Sequence, residues 1–429
     1  MLTSISLKRI SSIFLLAIFV VLLPPIRFPF LGPDWLNTNM FARALILFVF
    51  LYVLAKTLVA GEKWFLKRNY LIDIILLFFI VQSLSVVGAI NGLAFLKIYE
   101  KLIFGFMVFV IAIGLTKRNR SDFFERVIWV YFLAGVVKLF LEGLLLIAPD
   151  LLTSFADMFF KSDVTLSIKA NLARSRTYID LFPEASLPIF LYYFYRKKGT
   201  KIMKGVGIVL GVLLGLASFL SNWRGRVLVY AGILVSSFAV FKKYWFKKFK
   251  PLLLGGLILV LSLFILDRNM VVSKGFSVVD RLMNKDVYED QMTIIWRIDV
   301  FNESVKMGFS SPFGVGLRNF YDWTYIKSKA KFLSTDFELL TKEAVVDGPH
   351  NIVAQFLAET GYIGLLIFLL MLATFASRDL KTIRSKQRLW LEKVTIILAF
   401  WGFILATAFY PATSLNFYIS FFLFRAMLI

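Results

Sequence analysis

The dominant feature of this sequence is a series of apolar runs, most of them long enough to cross a bilayer as a helix. A helical span needs about 20 apolar residues, with a usual range of about 17 to 25. Hydrophobic residues make up 59% of the chain and its mean hydropathy is +0.77, values that do not suit a soluble surface. We therefore predict an all-α polytopic membrane protein with about 12 transmembrane helices. The candidate spans lie at 10–26, 40–59, 70–91, 94–115, 127–147, 177–195, 205–222, 226–241, 252–266, 350–376, 391–409 and 414–428.

The distribution of positive charge predicts the orientation of these spans. The chain has 49 Lys and Arg against 27 Asp and Glu, a formal net charge of +22. An excess of Lys and Arg marks the cytoplasmic side of a membrane protein, so both termini are predicted to be cytoplasmic. The charge therefore reports orientation, and we expect no nucleic-acid partner. Nearly all of the excess lies before the first span and in alternate connections, at 56–68, 117–126, 196–204, 242–250 and 378–393.

The lengths of the connections predict three segments. About nine helices form a transmembrane bundle over 1–266, a long and partly helical extracytoplasmic loop follows over 267–349, and about three helices lie within 350–429. The cytoplasmic connections are short and lack a GxxxxGK[ST] motif, which excludes a nucleotide-hydrolysing domain and an ATP-driven pump. The shorter outer connection, 148–176, has apolar residues at helical spacing. That pattern predicts a helix that lies in the membrane interface or packs on the protein's own outer loop.

A single histidine is the candidate for proton transfer. The chain has no Cys and one His, His350, so thiol chemistry is excluded. His350 follows Gly348 and Pro349 where the tenth predicted span begins. Pro suits the first position of a helix, so we expect Pro349 to open the helix with His350 in its first turn. A helix N-terminus favours a neutral imidazole and a nearby anion, so His350 could accept a proton from a hydroxyl beside a bound phosphate. The alternative is a histidine that anchors the helix at the interface.

Three arginines are candidates for binding an anion. Arg224 and Arg226 lie in a tight turn between two apolar runs on the predicted outer side, where the orientation rule gives no reason for a basic pair. Their planar guanidinium groups match phosphate oxygens, although simple snorkelling at a helix end is the alternative. Arg297 lies in an amphipathic stretch of the long outer loop. Taken alone, Arg297 is more simply interpreted as a solvated or salt-bridged residue.

Charges within predicted spans are further candidates because they are costly in lipid. Lys97, Glu100 and Lys101 lie near the outer end of the fourth span, where they could pair with each other or line a polar site. Lys138 and Glu142 are four residues apart in the fifth span. For these two we predict a structural ion pair that faces the bundle.

Three short motifs occur in an order that resembles a known family. Arg224 and Leu228 form Arg-x3-Leu, Arg297 is followed by Pro312-Phe313-Gly314-Val315-Gly316 and Asn319-Phe320, and Pro349-His350-Asn351 leads into Ala358-Glu359-Thr360-Gly361-Tyr362. Together with the long loop ahead of the His-bearing helix, they resemble the O-antigen ligase and polymerase superfamily of bacterial envelope polysaccharide synthesis. The resemblance covers about 200–375 by motif and the rest by hydropathy.

The resemblance implies a GT-C-like glycosyltransferase of the bacterial inner membrane. It would invert the configuration at the anomeric carbon of the transferred sugar and need no metal or other cofactor. The donor would be a glycan linked to undecaprenyl pyrophosphate, and the acceptor a glycolipid or glycan in the membrane. Arg224 and Arg297 would bind the pyrophosphate, and His350 would orient or deprotonate the acceptor hydroxyl. We add Arg226, Asn351 and Lys101 as substrate-binding candidates. The chain departs from the family at two places. Trp223 stands where a Ser commonly precedes the arginine, and 170–185 lacks the usual Asn-rich match, so that Arg174 and Arg176 have no assigned role.

Three functions remain open at this point. The leading hypothesis is a ligase that transfers the lipid-linked glycan to a membrane-anchored sugar, and the nearest alternative is a polymerase of the same superfamily. A secondary transporter or lipid flippase is the alternative from a different class, because many spans and intramembrane charges are natural there too. The sequence predicts contact with membrane lipids but gives no oligomeric state.

Overall fold

The computed structural model of this protein is built from α-helices in all the parts of the chain that it describes. Those parts are residues 7–27, 37–59, 70–118, 120–173, 186–196, 200–221, 224–248, 288–324, 349, 351–385, 389–409 and 414–429. Within them the β-pairing is limited to two isolated bridges, Ile26 with Phe160 and Arg27 with Asn37. The helices are α1 Leu7–Leu22, α2 Thr38–Val59, α3 Tyr70–Leu84 with a 3₁₀ turn at Ser85–Gly88, α4 Gly92–Arg118, α5 Arg120–Ile147, α6 Pro149–Phe159, α7 Ser162–Ala173, α8 Leu187–Tyr195, α9 Lys201–Leu220, α10 Arg224–Lys248, α11 Tyr288–Ser310, α12 Phe320–Trp323, α13 Ile352–Ser385, α14 Trp390–Ala406 and α15 Leu415–Leu428.

The helices confirm the predicted class of a polytopic membrane protein. Six helices in the described ranges are long and apolar enough to cross a bilayer: α2, α3 with its 3₁₀ turn, α4, α5, α9 and α13. Shorter apolar helices lie at Gly225–Phe241 and Leu415–Leu428. The predicted spans at 10–26 and 391–409 coincide with α1 and α14. The span at 252–266 and much of the loop at 267–349 lie outside the described residues, so the count of twelve spans and the three-segment division stay predictions.

The described part of the shorter outer connection, predicted at 148–176, forms α6 and α7. On α6, Leu151 and Met158 are exposed, whereas Leu152 and Ala156 are buried against the bundle. The helix is held by its neighbours, since Arg27 donates from Nε to the Met158 carbonyl at 3.0 Å. One apolar face of α6 therefore packs on the protein and the other is exposed, so the packing interpretation is confirmed and the interface interpretation stays a prediction.

The core of the bundle is rich in closely packed aromatic side chains. The contact between α4 and α15 depends on Gly105, where an added Cβ would lie 2.6 Å from Cδ2 of Phe422. Small residues at such crossings let helix backbones approach closely, which drives helix association in lipid. The rings of Phe356 and Phe368 on α13 lie 4.2 Å apart, and both contact Phe78 of α3. These contacts place α3, α4, α13 and α15 in one packed unit.

A buried ion pair ties the last three helices together. Arg425 of α15 donates to both carboxylate oxygens of Asp379 on α13, at 3.0 and 2.8 Å. Trp401 of α14 donates from Nε1 to the same carboxylate at 2.8 Å, and the Arg425 guanidinium lies 3.5 Å from the ring centroid of Phe400. The side chains of Arg425 and Asp379 are 3% and 4% exposed, so each needs the other to remain charged.

We expect Asp379→Ala to destabilise the fold strongly, because it leaves the Arg425 guanidinium buried without its carboxylate. Breaking a buried pair in this way costs about 3 to 5 kcal/mol. Unfolding of the purified protein in mixed micelles of increasing SDS content measures the loss. The control is Asp122→Ala, which breaks the exposed pair between Asp122 and Arg126 and should cost about 0.5 kcal/mol or less. Equal unfolding curves for the two variants would contradict the assigned role.

Candidate functional site

The N-terminal ends of α10 and α13 lie together at the C-terminal end of α14. The backbone N–H of Ile352, the first residue of α13, donates to the carbonyl of Thr407 just past α14, at 3.0 Å. On α10, a Cβ added to Gly225 would lie 3.1 Å from the Cβ of Phe409. Arg224 is the first residue of α10. The structure therefore brings the backbone of Arg224 to the same end of the bundle as the start of α13.

Asn351 forms the N-cap of α13. Its Oδ1 accepts from the backbone N–H groups of Val353 at 2.8 Å and Ala354 at 3.2 Å, and its carbonyl accepts the first helical bond, from Gln355. Capping satisfies N–H groups that have no partner inside the helix. This corrects the expectation that Pro349 opens the helix with His350 in its first turn, because the Asn351 cap starts the helix at Ile352. His350 lies outside the described residues, directly ahead of that cap.

The helix that carries Arg297, α11, packs against the first turns of α13. A Cβ added to Gly308 would lie 2.6 Å from the Leu357 carbonyl oxygen, and the rings of Phe309 and Tyr362 stack with centroids 6.3 Å apart. The structure thus joins the helix of Arg297 to the helix that follows His350. The side chains of Arg224 and Arg297 lie outside the described part of the structure. The two residues are therefore placed only by their backbone positions on α10 and α11.

The glycine-containing turn at 312–316 fits into a kink of α13. Gly361 has φ 70° and ψ −177°, a conformation outside the helical region that only glycine adopts readily. The backbone N–H groups of Val315 and Gly316 donate to the carbonyls of Ala358 at 2.9 Å and Glu359 at 3.0 Å. A Cβ added to Gly314 would lie 2.5 Å from the Gly361 nitrogen. The turn therefore docks directly on the kink.

Asn319 extends this contact to the start of α4. Its Oδ1 accepts from the backbone N–H of Asn91 at 2.5 Å, and its Nδ2 donates to the carbonyls of Leu317 at 2.9 Å and Asn91 at 3.3 Å. Asp322 adds a bond, because its Oδ2 accepts from Asn91 Nδ2 at 3.2 Å. Asn319 is fully buried. The sequence contained Asn319 within a family-like motif, but nothing local to it indicated the distant partner Asn91.

Arg226 forms a buried ion pair with α5. Its Nη1 and Nη2 donate to Oε1 and Oε2 of Glu142 at 3.1 and 3.0 Å, and the two side chains are 0% and 1% exposed. We expected Arg226 at the acyl boundary as a substrate-binding residue, and the structure instead places its guanidinium inside the bundle. The sequence predicted Lys138 as the partner of Glu142, and the structure gives Glu142 an ion pair with Arg226 of another helix. Lys138 is buried one turn earlier on α5.

Lys101 is half-buried on α4, within the group of charged residues predicted at that end of the helix. Glu100 beside it binds Arg43 of α2 at 2.7 Å. The sequence analysis missed Arg43. Its position as a cation inside the predicted span at 40–59 was the feature that could have indicated it. Across the described residues, no group of three or more His, Cys, Asp or Glu side chains is placed to hold a metal ion.

Comparison with protein families gives a match to the part of the chain that holds Arg224, Arg297 and His350. Residues 209–369 match the family model described as O-antigen ligase. These residues are similar to an O-antigen ligase domain. The domain runs from α9 to the middle of α13 and includes Arg224, Arg297 and His350. A search of curated proteins found no match. The resemblance inferred from the three ordered motifs is therefore confirmed.

We expect Gly361→Ala to weaken the folded state, because a side chain there forces an unfavourable φ and meets the Pro312 carbonyl oxygen. Strained conformations of this kind cost about 1 to 3 kcal/mol before any steric clash is added. The matched control is Gly143→Ala on α5, where an added Cβ has no neighbour within 4 Å and Ala favours the helix. SDS titration of the two proteins measures the difference. A Gly361→Ala protein as stable as the Gly143→Ala protein would refute the docking of the turn.

The ion pair of Arg226 and Glu142 predicts non-additive mutations. Arg226→Met or Glu142→Leu alone leaves a buried charge and should cost about 3 to 5 kcal/mol, whereas the double variant should be more stable than either. The same unfolding titration on the three proteins gives the coupling energy. Additive losses would show that Arg226 and Glu142 do not act as a pair.

Proposed function

We propose that this protein is an inverting, metal-independent glycosyltransferase of the ligase type. It would transfer a glycan from undecaprenyl pyrophosphate to a sugar on a membrane-anchored acceptor, at the extracytoplasmic face of the bacterial inner membrane. The O-antigen ligase domain supports this chemistry in general terms. The observation that carries the proposal is the convergence of α10, α11 and α13, which hold or directly follow the three candidate residues.

The residue types match the two needs of the reaction. The oxygen of the acceptor hydroxyl attacks the anomeric carbon, and the bond from that carbon to the pyrophosphate oxygen breaks with both electrons leaving on the oxygen. In the proposal, Arg224 and Arg297 stabilise the charge on the departing pyrophosphate, and His350 takes the hydroxyl proton. Attack from the face opposite the leaving group inverts the anomeric centre.

The starts of α10 and α13 suit an anionic ligand. Each helix N-terminus carries partial positive charge from its aligned peptide dipoles, which favours a phosphate and disfavours a protonated imidazole. His350 precedes the N-cap of α13, and Arg224 begins α10. A neutral His350 next to this end is in the form that accepts a proton.

The proposed orientation rests on the positive charge of the connections. With both termini cytoplasmic, α10 and α13 begin on the extracytoplasmic side, where the lipid-linked donor would be used. A polymerase of the same superfamily needs the same donor chemistry and remains the alternative. The O-antigen ligase domain argues against the transporter hypothesis, because it supports glycosyl transfer.

We expect His350→Ala to lower the transfer rate by about 10² to 10⁴, the usual contribution of a general base. Arg224→Ala and Arg297→Ala should each lower it by about 10² to 10³, by removing a donor to the developing charge. The assay incubates purified protein with undecaprenyl-pyrophosphate glycan and a glycolipid acceptor, and separates the products on gels. Lys169→Gln, an exposed change on α7, is the control.

The same assay separates the alternatives. A single addition to the acceptor indicates a ligase, whereas a ladder that grows with time from the lipid-linked donor alone indicates a polymerase. Transfer that His350→Ala leaves undiminished would remove His350 from the mechanism. Loss of activity with a chelator would overturn the metal-independent reaction.

A further inference from the structure

Three cations lie together at the end of the bundle where α5 and α14 begin, outside the arrangement described above. Only residues 386–389 connect α13 to α14, and Trp390 donates from Nε1 to the Ile383 carbonyl at 2.8 Å. Arg378 lies five residues before Ile383, and Lys393 three residues after Trp390. These separations are about 7.5 Å and about 4.5 Å along a helix. Arg378 and Lys393 are therefore at nearly the same level of this helical hairpin.

The third cation, Arg120, is brought to this end by contacts with the last turn of α8. Arg196, just past α8, donates from Nη1 to Oε1 of Glu125 on α5 at 2.7 Å. The Tyr192 hydroxyl donates to Oε1 of Glu392 on α14 at 3.1 Å. The starts of α5 and α14 thus meet the same turn of α8. Arg120 is the first residue of α5, one helical turn and a half before Glu125.

The three cations are close enough to repel one another. The positive charge of Arg378 acts on Arg120, and the charges of both arginines act on Lys393. Arg120 is exposed, whereas Arg378 and Lys393 are half-buried. The fold therefore holds three like charges together and keeps them accessible from one side.

Carboxylates do not neutralise this cluster within the part of the chain that the structure describes. None of the three cations forms an ion pair with Asp or Glu there. Arg378 donates from Nη2 to the carbonyl oxygen of Ile429 at 2.9 Å, and the neighbouring Asp379 is paired with Arg425. Even with Glu392 and a carboxylate at Ile429 counted against the three cations, an excess of positive charge remains.

The orientation rule alone does not explain why these cations are packed together. Exposed lysines such as Lys117 and Lys381 are sufficient to mark the cytoplasmic side. Like charges held close together lower the stability of a fold, more so where they are half-buried. A bound anion would remove that repulsion. Guanidinium groups and a lysine ammonium are the side-chain groups with which proteins bind phosphate.

We propose that Arg120, Arg378 and Lys393 together bind a phosphate group. Two guanidinium groups and one ammonium can donate to several phosphate oxygens at once, and the exposed side chain of Arg120 leaves the cluster open to a ligand. The phosphate can belong to a lipid headgroup or be free in solution. In the proposed orientation this end is cytoplasmic, opposite the proposed transfer site, so the phosphate site does not depend on the transfer reaction.

Binding to the purified full-length protein in a nonionic detergent tests the site. Inorganic phosphate is titrated by calorimetry and phosphatidic acid by native mass spectrometry, both at fixed ionic strength. We expect Arg120→Gln and Lys393→Gln each to weaken binding about fivefold, the usual contribution of one basic residue. Lys117→Gln, an exposed change at the end of α4, is the matched control and should bind as the parent protein does.

Stability without ligand gives an independent readout. In phosphate-free buffer, Lys393→Gln should unfold at the same or a higher SDS content than the parent protein, because it removes repulsion. A purely structural lysine predicts a loss of stability instead. Saturating ligand should stabilise the parent protein more than the variant. Arg120→Gln gives the same readout at the start of α5, so the site is tested even if the change at Lys393 disturbs α14.

The two titrations identify the source of the phosphate. Tighter binding of phosphatidic acid assigns the site to a lipid headgroup, and tighter binding of inorganic phosphate assigns it to a soluble ligand. The site is overturned if neither binds, if Arg120→Gln and Lys393→Gln leave binding unchanged, if Lys117→Gln causes an equal loss, or if both cluster variants are less stable without ligand. Each result can occur with glycosyl transfer intact or lost, so this test and that of the proposed function fail separately.

Discussion

The candidate site depends on the contact between two irregular backbone segments, the turn at 312–316 and the kink at Gly361, which are joined by backbone hydrogen bonds. Inside a bilayer every backbone polar group must find a partner within the protein. The kink at Gly361 interrupts the helical hydrogen bonding of the Ala358 and Glu359 carbonyls. The backbone N–H groups of Val315 and Gly316 donate to these two carbonyls instead. The long loop is thereby fixed to the helix that follows His350, and α11 is held beside it.

Buried charge restricts the arrangement of the helices in a second way. Arg226 with Glu142 joins α10 to α5, and Arg425 with Asp379 joins α15 to α13. Such pairs add little net stability compared with apolar packing, but a rotated or shifted helix would leave a charge buried without its partner. We infer that they act mainly as constraints on helix rotation. The first pair lies at the start of α10, so it constrains the helix that carries Arg224.

The sequence predicted the elements that depend on local pattern. Apolar runs located α2, α4 and α5 to within a few residues at most ends, because span length is set by the thickness of the bilayer. The order of the three motifs predicted the family, because the motifs specify particular residues, whereas hydropathy distinguishes only apolar from polar segments. Residues 249–287 and 325–348 lie outside the described structure, so the span predicted at 252–266 and the predictions for these parts of the long loop are not tested.

Contacts between distant residues could not be predicted in the same way. Helical spacing offers Lys138 as a partner for Glu142, whereas Arg226 comes from another helix far along the chain. The partner of the glycine turn is likewise a kink at Gly361, about 45 residues later in the chain and well beyond the reach of local sequence rules. The cap at Asn351 shows the limit of local rules, because Asn and Pro are both plausible helix starts and the side-chain bonds decide between them.

The first turn of α10 shows how neighbouring residues can take separate tasks. Successive helix positions are about 100° apart, so Arg224, Gly225 and Arg226 point in three directions. Gly225 meets Phe409 at the end of α14, and Arg226 meets Glu142 of α5. Arg224 occupies the first position of the same turn, and the contacts of Gly225 and Arg226 fix the backbone of that turn. In the proposed mechanism, the charge of Arg226 is matched inside the protein, so the cation that α10 offers to a pyrophosphate is Arg224, added to the positive end of the helix dipole. A pyrophosphate would then meet an arginine whose backbone position is fixed by two packed neighbours, which serves the preorganisation that electrostatic catalysis requires.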